Sequence, residues 1–174
     1  MGDIRLIPEA DRIYGPGTSL ITAAFTHVRV DGDGGRFDKG FGVYYSAREL
    51  STAIAETKYH RAKFFRDFNS GPTRFDMREL IAELKQDCYT ISHLQQEFPE
   101  LYHPDNYHHS QTLAIQLKQH QAWALQYSSV RCSEGICYAV FRAPALSNCH
   151  QGKHFEYYFD GNNISHVLEK KLVV

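Results

Sequence analysis

Two sets of residues in this chain have types and spacings that could do chemistry. Cys132, Cys137, His150 and His154 follow the two-cysteine, two-histidine order of a zinc finger, with Phe141 at the place of its apolar residue. Zinc wants four such ligands converging tetrahedrally, and the finger obtains them from a hairpin followed by a helix. Pro144 interrupts the stretch where that helix would form, a cost of roughly 3 kcal/mol in a helix interior. Leu146 stands one place off the usual apolar position, and no run of Lys or Arg accompanies the pattern. The plainer reading is two cysteines flanking a hairpin turn and two histidines in a later segment. The second set is a single carboxylate, Glu56, among small and apolar neighbours in "SARELSTAIAETKYH". Such a residue borders a core without entering it, and can line the wall of a cleft.

Other motifs are incomplete. Asp31, Asp33 and Gly35 hint at a calcium loop, but its bidentate glutamate at the twelfth position is absent, so an acidic turn is the better reading. Neither GxGxxG nor GxxxxGK[ST] occurs, which argues against a Rossmann or P-loop nucleotide site. His103, His108 and His109 share no regular ligand spacing and read as a polar loop.

The elements that must position Glu56 follow from local pattern. The glycine-rich "DGDGGRFDKGFG" is a loop, and "GVYYSA" after it is a short strand ending near Ser46, with Tyr44 and Tyr45 on opposite faces. Ser46 and Glu49 have the capping-box spacing and predict the start of a helix. Leu50, Ile54, Thr57, Phe64, Phe65 and Phe68 recur along it as an apolar stripe. Glu56 falls about 120° from the centre of that stripe, on the flank of Thr52, Ala53 and His60. Further on, Met77, Leu80, Ile81 and Leu84 have helical spacing while "CYTI" looks like strand. A helix is expected over 110–120 with Leu113 and Leu117 buried, then "ALQYSSV" and "ICYAVFRA" as two strands joined by "RCSEG". Irregular alternation of strands and helices predicts an α+β fold.

The 174 residues form a chain of single-domain size, with 43% apolar and 13% aromatic residues, enough for a packed core without disulfide or metal. A formal net charge of -1 without a basic block argues against direct nucleic-acid binding and favours a small ligand or a protein partner. "MGDIRLIPEADRIYG" lacks the apolar run of a secretory signal, and 18 consecutive apolar residues occur nowhere, so a cytoplasmic protein without membrane association is expected. The four cysteines are then expected to stay reduced.

Taken in order, "GGRFDKGFGVYYSARELSTAIAE" and "YSSVR" resemble the RES-domain family, named for its arginine, glutamate and serine. "AVFRAPALS" and "QGKHFEYYFDG" are similar to the family's closing segments, so the resemblance covers most of the chain. It implies a single RES domain over residues 1–174 with a fold like that of ADP-ribosyltransferases, a small mixed β-sheet core flanked by helices. It also implies a toxin of a bacterial toxin–antitoxin pair that consumes NAD, in a hetero-oligomer with a helical antitoxin that often carries a helix-turn-helix domain. Arg36, Tyr45 and Glu56 match the family's loop arginine, strand tyrosine and helix glutamate. The serine belongs to a motif resembling Tyr-Pro-Ser-Val-Arg; Ser128 replaces the proline, leaving Ser128 and Ser129 as alternatives, with Ser129 at the family position. Phe159 stands where a tryptophan is common.

The chemistry agrees with one carboxylate. Ordinary glycosidases need a second because the leaving oxygen must be protonated. Nicotinamide is already cationic in NAD and departs neutral, so Glu56 need only bind the ribose hydroxyls and stabilise the oxocarbenium-like sugar. Under this resemblance Arg36 would grip the pyrophosphate, Gly34 and Gly35 would let backbone approach, and Tyr45 would stack on the nicotinamide. Ser129 would bond the nicotinamide ribose or amide, and Arg131 would supply a second anion contact. No cofactor or metal is implied beyond NAD as substrate; water, inorganic phosphate or a protein side chain remains open as acceptor.

Overall fold

A computed structural model describes residues 2–28, 34–171 and 173; the acidic turn at Asp31 and Asp33 lies outside the described residues. Three helices, α1 (Thr18–Thr26), α2 (Leu50–Asp67) and α3 (His108–Gln119), accompany seven strands. These are β1 (Tyr44–Ala47), β2 (Thr73–Leu84), β3 (Tyr89–Thr90), β4 (Ala124–Ser128), β5 (Ile136–Val140), β6 (Leu146–Phe159) and β7 (Ile164–Lys170). The fold is α+β, as the pattern predicts. Its strands form two sheets, a mixed one of order β1-β5-β4-β3 and an antiparallel one of order β2-β6-β7. No helix among the described residues is long and apolar enough to cross a membrane.

Alternation along β4 and β5 gives the mixed sheet two apolar faces. Leu125, Tyr127, Cys137 and Ala139 pack with Phe37, Phe141 and α3 on one side. Tyr44, Ala124 and Val140 pack with Ile21, Phe25 and Leu146 on the other, where the Tyr44 hydroxyl meets the Cys149 sulfur at 3.9 Å. Tyr44 is thus a packing residue, as expected. Leu113 and Leu117 of α3 are partly buried against the first face. The second sheet takes the apolar side of α2: Leu50, Ile54, Ala62 and Phe65 cover Phe75, Met77, Phe155, Tyr157 and Phe159. Phe65 stacks on Phe159 with ring centroids 5.2 Å apart, and Thr57 meets the Tyr157 hydroxyl at 2.9 Å.

Local pattern alone is a poor guide at three places. The capping box does not form: β1 pairs with β5 through Ala47, Arg48 N–H donates to Ile136 O, and α2 begins at Leu50 with no side-chain cap from Glu49. The helical spacing of Met77, Leu80, Ile81 and Leu84 belongs instead to β2, which pairs antiparallel with β6 from Thr73 to Leu84 with register shifts at Arg78/Leu80 and Ile81/Glu83. The stripe on α2 ends at Phe65, leaving Phe64 and Phe68 39% and 67% exposed.

Candidate active site

The site is built where the turn after β4 meets α2. Ser129 is buried, and its N–H donates to Gly135 O at 2.7 Å, which closes the turn. Its hydroxyl donates to Glu56 Oε1 at 2.6 Å and accepts the N–H groups of Arg131 and Cys132, each at 3.0 Å. One donor and two acceptor positions are all that a serine hydroxyl has, so its capacity is met within the protein. Ser128 points elsewhere, donating to Ser92 O at 2.9 Å. Of the two serines, Ser129 is the one in contact with Glu56. The turn lies so close to α2 that a Cβ on Gly135 would come 2.8 Å from the Thr52 side chain.

Glu56 is 20% exposed and its two oxygens differ. Oε1 takes the Ser129 hydroxyl and faces the Cys137 sulfur at 3.8 Å, whereas Oε2, among the described residues, faces His60 Nε2, also at 3.8 Å. Burial, reinforced by the Glu56 charge, pushes the Cys137 thiol up to about 12, so it stays protonated and can donate to the carboxylate. Burial also holds His60 below the ordinary histidine value, outweighing the upward pull of Glu56; Arg131 and Arg36 push the same way as burial. Thr52 and His60 share the flank of Glu56 as expected, while Ala53 lines a groove of about 860 Å³ between the sheets, to which Tyr45 also contributes.

Arg36 is 7% exposed, donates from Nη1 to Leu101 O at 3.0 Å and lies 4.8 Å from the centre of the Tyr107 ring. Gly35 O accepts from Gln111 Nε2 at 3.1 Å, and a Cβ at Gly35 would fall 2.4 Å from Asp38 Oδ1 and 2.9 Å from the Tyr45 hydroxyl. A side chain there would push on the Asp38 carboxylate and the Tyr45 hydroxyl. The Tyr45 hydroxyl donates to Asp38 Oδ1 at 2.5 Å and accepts from Phe37 N–H at 2.7 Å, while 40% of the residue stays exposed. Burial of the hydroxyl and then the Asp38 charge raise its pKa well above the tyrosine value. Tyr127 joins the halves: burial first, then Cys137 and Glu56, raise its pKa, and Arg36 opposes them. Its ring packs edge-on to Phe37 at 4.7 Å. Arg36, Tyr45, Glu56 and Ser129 thus converge on one region.

Arg131 is tightly held. Its guanidinium lies 3.4 Å from the centre of the Tyr59 ring and donates to Pro104 O at 2.5 Å, with Asp105 Oδ1 at 3.5 Å. The Tyr59 hydroxyl donates to the same Asp105 carboxylate. The arrangement ties α2 to the segment that supplies Leu101 and Tyr107 to Arg36.

The zinc pattern is not assembled. Cys132 and Cys137 lie beside Thr52 and Glu56, whereas His150 and His154 are exposed on β6, opposite Ile81 and Arg78 of the other sheet. Among the described residues no group of three or more His, Cys, Asp or Glu could hold a metal ion. His103 serves its own loop, accepting the N–H groups of Asp105 and Asn106 at Nδ1. Sequence reasoning put Cys137 in the zinc pattern and Tyr127 in the serine motif without placing either beside Glu56, where strand pairing brings them, and gave no role to His60, whose i+4 spacing was readable.

The family model described as RES domain matches residues 9–160. No curated protein matches the chain.

Proposed function

The chain belongs to the RES domain family, known in toxin–antitoxin systems and associated with NAD-processing enzymes, and on that premise we propose that it is a toxin that cleaves the nicotinamide–ribose bond of NAD. The observation that carries this reading is the asymmetric carboxylate: Glu56 Oε1 is held by Ser129, leaving Oε2 for substrate. As the C1–N bond breaks, its electron pair goes to the pyridinium nitrogen and nicotinamide leaves neutral, so no general acid is needed. Oε2 binds the ribose hydroxyls and stabilises the developing positive sugar. Water or inorganic phosphate then forms the new C1–O bond and gives up its proton to solvent.

Arg36 keeps guanidinium N–H groups beyond the one given to Leu101, and these bind the pyrophosphate. The exposed Tyr45 ring receives the cationic nicotinamide, with its hydroxyl pinned by Asp38 and Phe37. Ser129 acts chiefly by orienting Glu56, since its hydroxyl is fully used. Arg131 acts through the 103–107 segment and lends positive charge near the phosphates. The proposed setting is cytoplasmic, where NAD is available, and the proposed partner is a helical antitoxin that covers this site.

The test is to incubate purified protein with NAD, with and without phosphate, and to identify products by mass. Nicotinamide with ADP-ribose marks water as acceptor; a phosphorylated ADP-ribose marks phosphate. NAD unchanged under both conditions rejects the reading, as does equal NAD loss by Glu56→Gln.

A further inference from the structure

A second concave site lies on the other side of Tyr59. It is a cleft of about 370 Å³ between α2 and the turn joining β6 to β7, lined by Lys58, Tyr59, Ala62, Arg66, Asn163 and Ile164. Lys58, Ala62 and Arg66 follow at intervals of four on one helix face, so two long cationic side chains flank a small floor residue. Ala62 is 4% exposed.

The polar groups here are donors. Arg66 Nη1 donates to Asn162 O at 2.7 Å and to Asn163 Oδ1 at 3.3 Å. That contact holds the guanidinium and turns the Asn163 amide so that its NH2, which has no hydrogen-bond partner among the described residues, is the end left to a ligand. Lys58 enters no salt bridge among the described residues, although Lys63 one turn on is paired with Asp67 at 2.8 Å. No carboxylate lines the cleft. The neighbouring ones are occupied: Asp160 accepts the N–H groups of Asn162 and Asn163, and Asp105 accepts the Tyr59 hydroxyl. A hollow with two cations and an amide donor, and no carboxylate in its lining, is suited to an anion with several oxygens. Both cations rise from the α2 wall and the Asn163 amide faces them from the turn, so a phosphoryl group, whose oxygens diverge tetrahedrally, can meet donors from both walls.

We propose that the cleft between α2 and the β6–β7 turn, walled by Lys58, Arg66 and Asn163, binds a phosphoryl anion, a site separate from Glu56. Tyr59 is common to both regions, since its ring carries Arg131. Free phosphate and the phosphoryl group of a nucleotide share the required chemistry. The experiment titrates the full chain with inorganic phosphate and, separately, with ADP-ribose, following binding by calorimetry for wild type, Lys58→Glu and Glu56→Gln. Saturable binding of one probe that Lys58→Glu weakens about tenfold or more and Glu56→Gln leaves intact is the expected result. Phosphate binding that depends on Lys58 would identify the free ion; Lys58-dependent binding of ADP-ribose alone would identify the nucleotide. Binding unaffected by Lys58→Glu in a folded variant, or no saturable binding of either probe, overturns the proposal. Because no turnover is read, NAD cleavage could fail with this site intact, or persist with it refuted.

Discussion

The two sheets spend the same kind of residue differently. Leu125, Ala139 and Val140 of the mixed sheet are all 0% exposed, whereas Leu80 and Ile81 of the longer β2 are 40% and 43% exposed. The difference lies in coverage. The mixed sheet is packed on both faces, by α1 and the start of β6 on one and by Phe37 and α3 on the other. The second sheet gains its principal apolar cover from α2. Helix α2 bridges the two, giving its apolar side to one sheet and Thr52, Glu56 and His60 to the turn of the other. Under the proposed reading the Glu56 carboxylate must be held to within about 0.5 Å, and the turn that holds it is anchored in the sheet buried on both faces. The second sheet then acts as a buttress.

This comparison is broken most severely at the carboxylate. Glu56→Gln keeps the shape and can still accept from Ser129, yet removes the charge; NAD cleavage should fall on the order of 10³-fold in kcat with melting temperature little changed. Activity within about tenfold of wild type would show that the charge is not the working element. Next come the anchors of the two sheets. Phe159→Ala, at 0% exposure against Phe65, should cost about 3–5 kcal/mol in denaturant unfolding, and Leu125→Ala about 2–5. The same truncation at Leu80 should cost less than about 1 kcal/mol; equal losses at Leu80 and Leu125 would erase the contrast between the sheets.

A finer probe separates holding from touching. Ser129→Ala should lower kcat roughly 10–100-fold while KM changes little, because the hydroxyl orients Glu56; Ser128→Ala should leave kcat near wild type. A rise in KM alone would place Ser129 on the substrate instead. The pH response is smaller. The His60 pKa is lower folded than unfolded, so the unfolded chain binds more protons; its stabilising share is present above the unfolded value and is lost as pH falls through the folded one. Glu56→Gln should lower the His60 pKa further and Arg131→Gln should raise it, as read by NMR titration. A shift of opposite sign in either variant would refute the assigned field. The least effect is expected at Arg74, 61% exposed in its pair with Glu156, where removal should cost under about 1 kcal/mol.

The readable parts of the fold were those governed by neighbours in sequence. β1, α2, α3 and the β4–β5 hairpin all follow from local periodicity and turn residues, and the flank of Glu56 follows from helix geometry alone. β2 did not, because Met77, Leu80, Ile81 and Leu84 fit a helix as well as a strand until β6 arrives from beyond residue 145. The capping box failed for a related reason: Ser46 was claimed by the ladder to β5.

Residue types and order by themselves determined that a lone carboxylate follows a glycine loop with an arginine, and that a serine waits near the second hairpin. Chain order cannot say which atoms touch, because contact depends on long-range pairing whose free energy is shared over whole sheets. Only the tertiary structure decided that Ser129 and not Ser128 meets Glu56, that Cys137 stands beside them, and that His150 and His154 are carried away on β6. The strand-to-strand hydrogen bonds that build the two sheets outweigh local spacing, and they draw one set of residues together while parting the other.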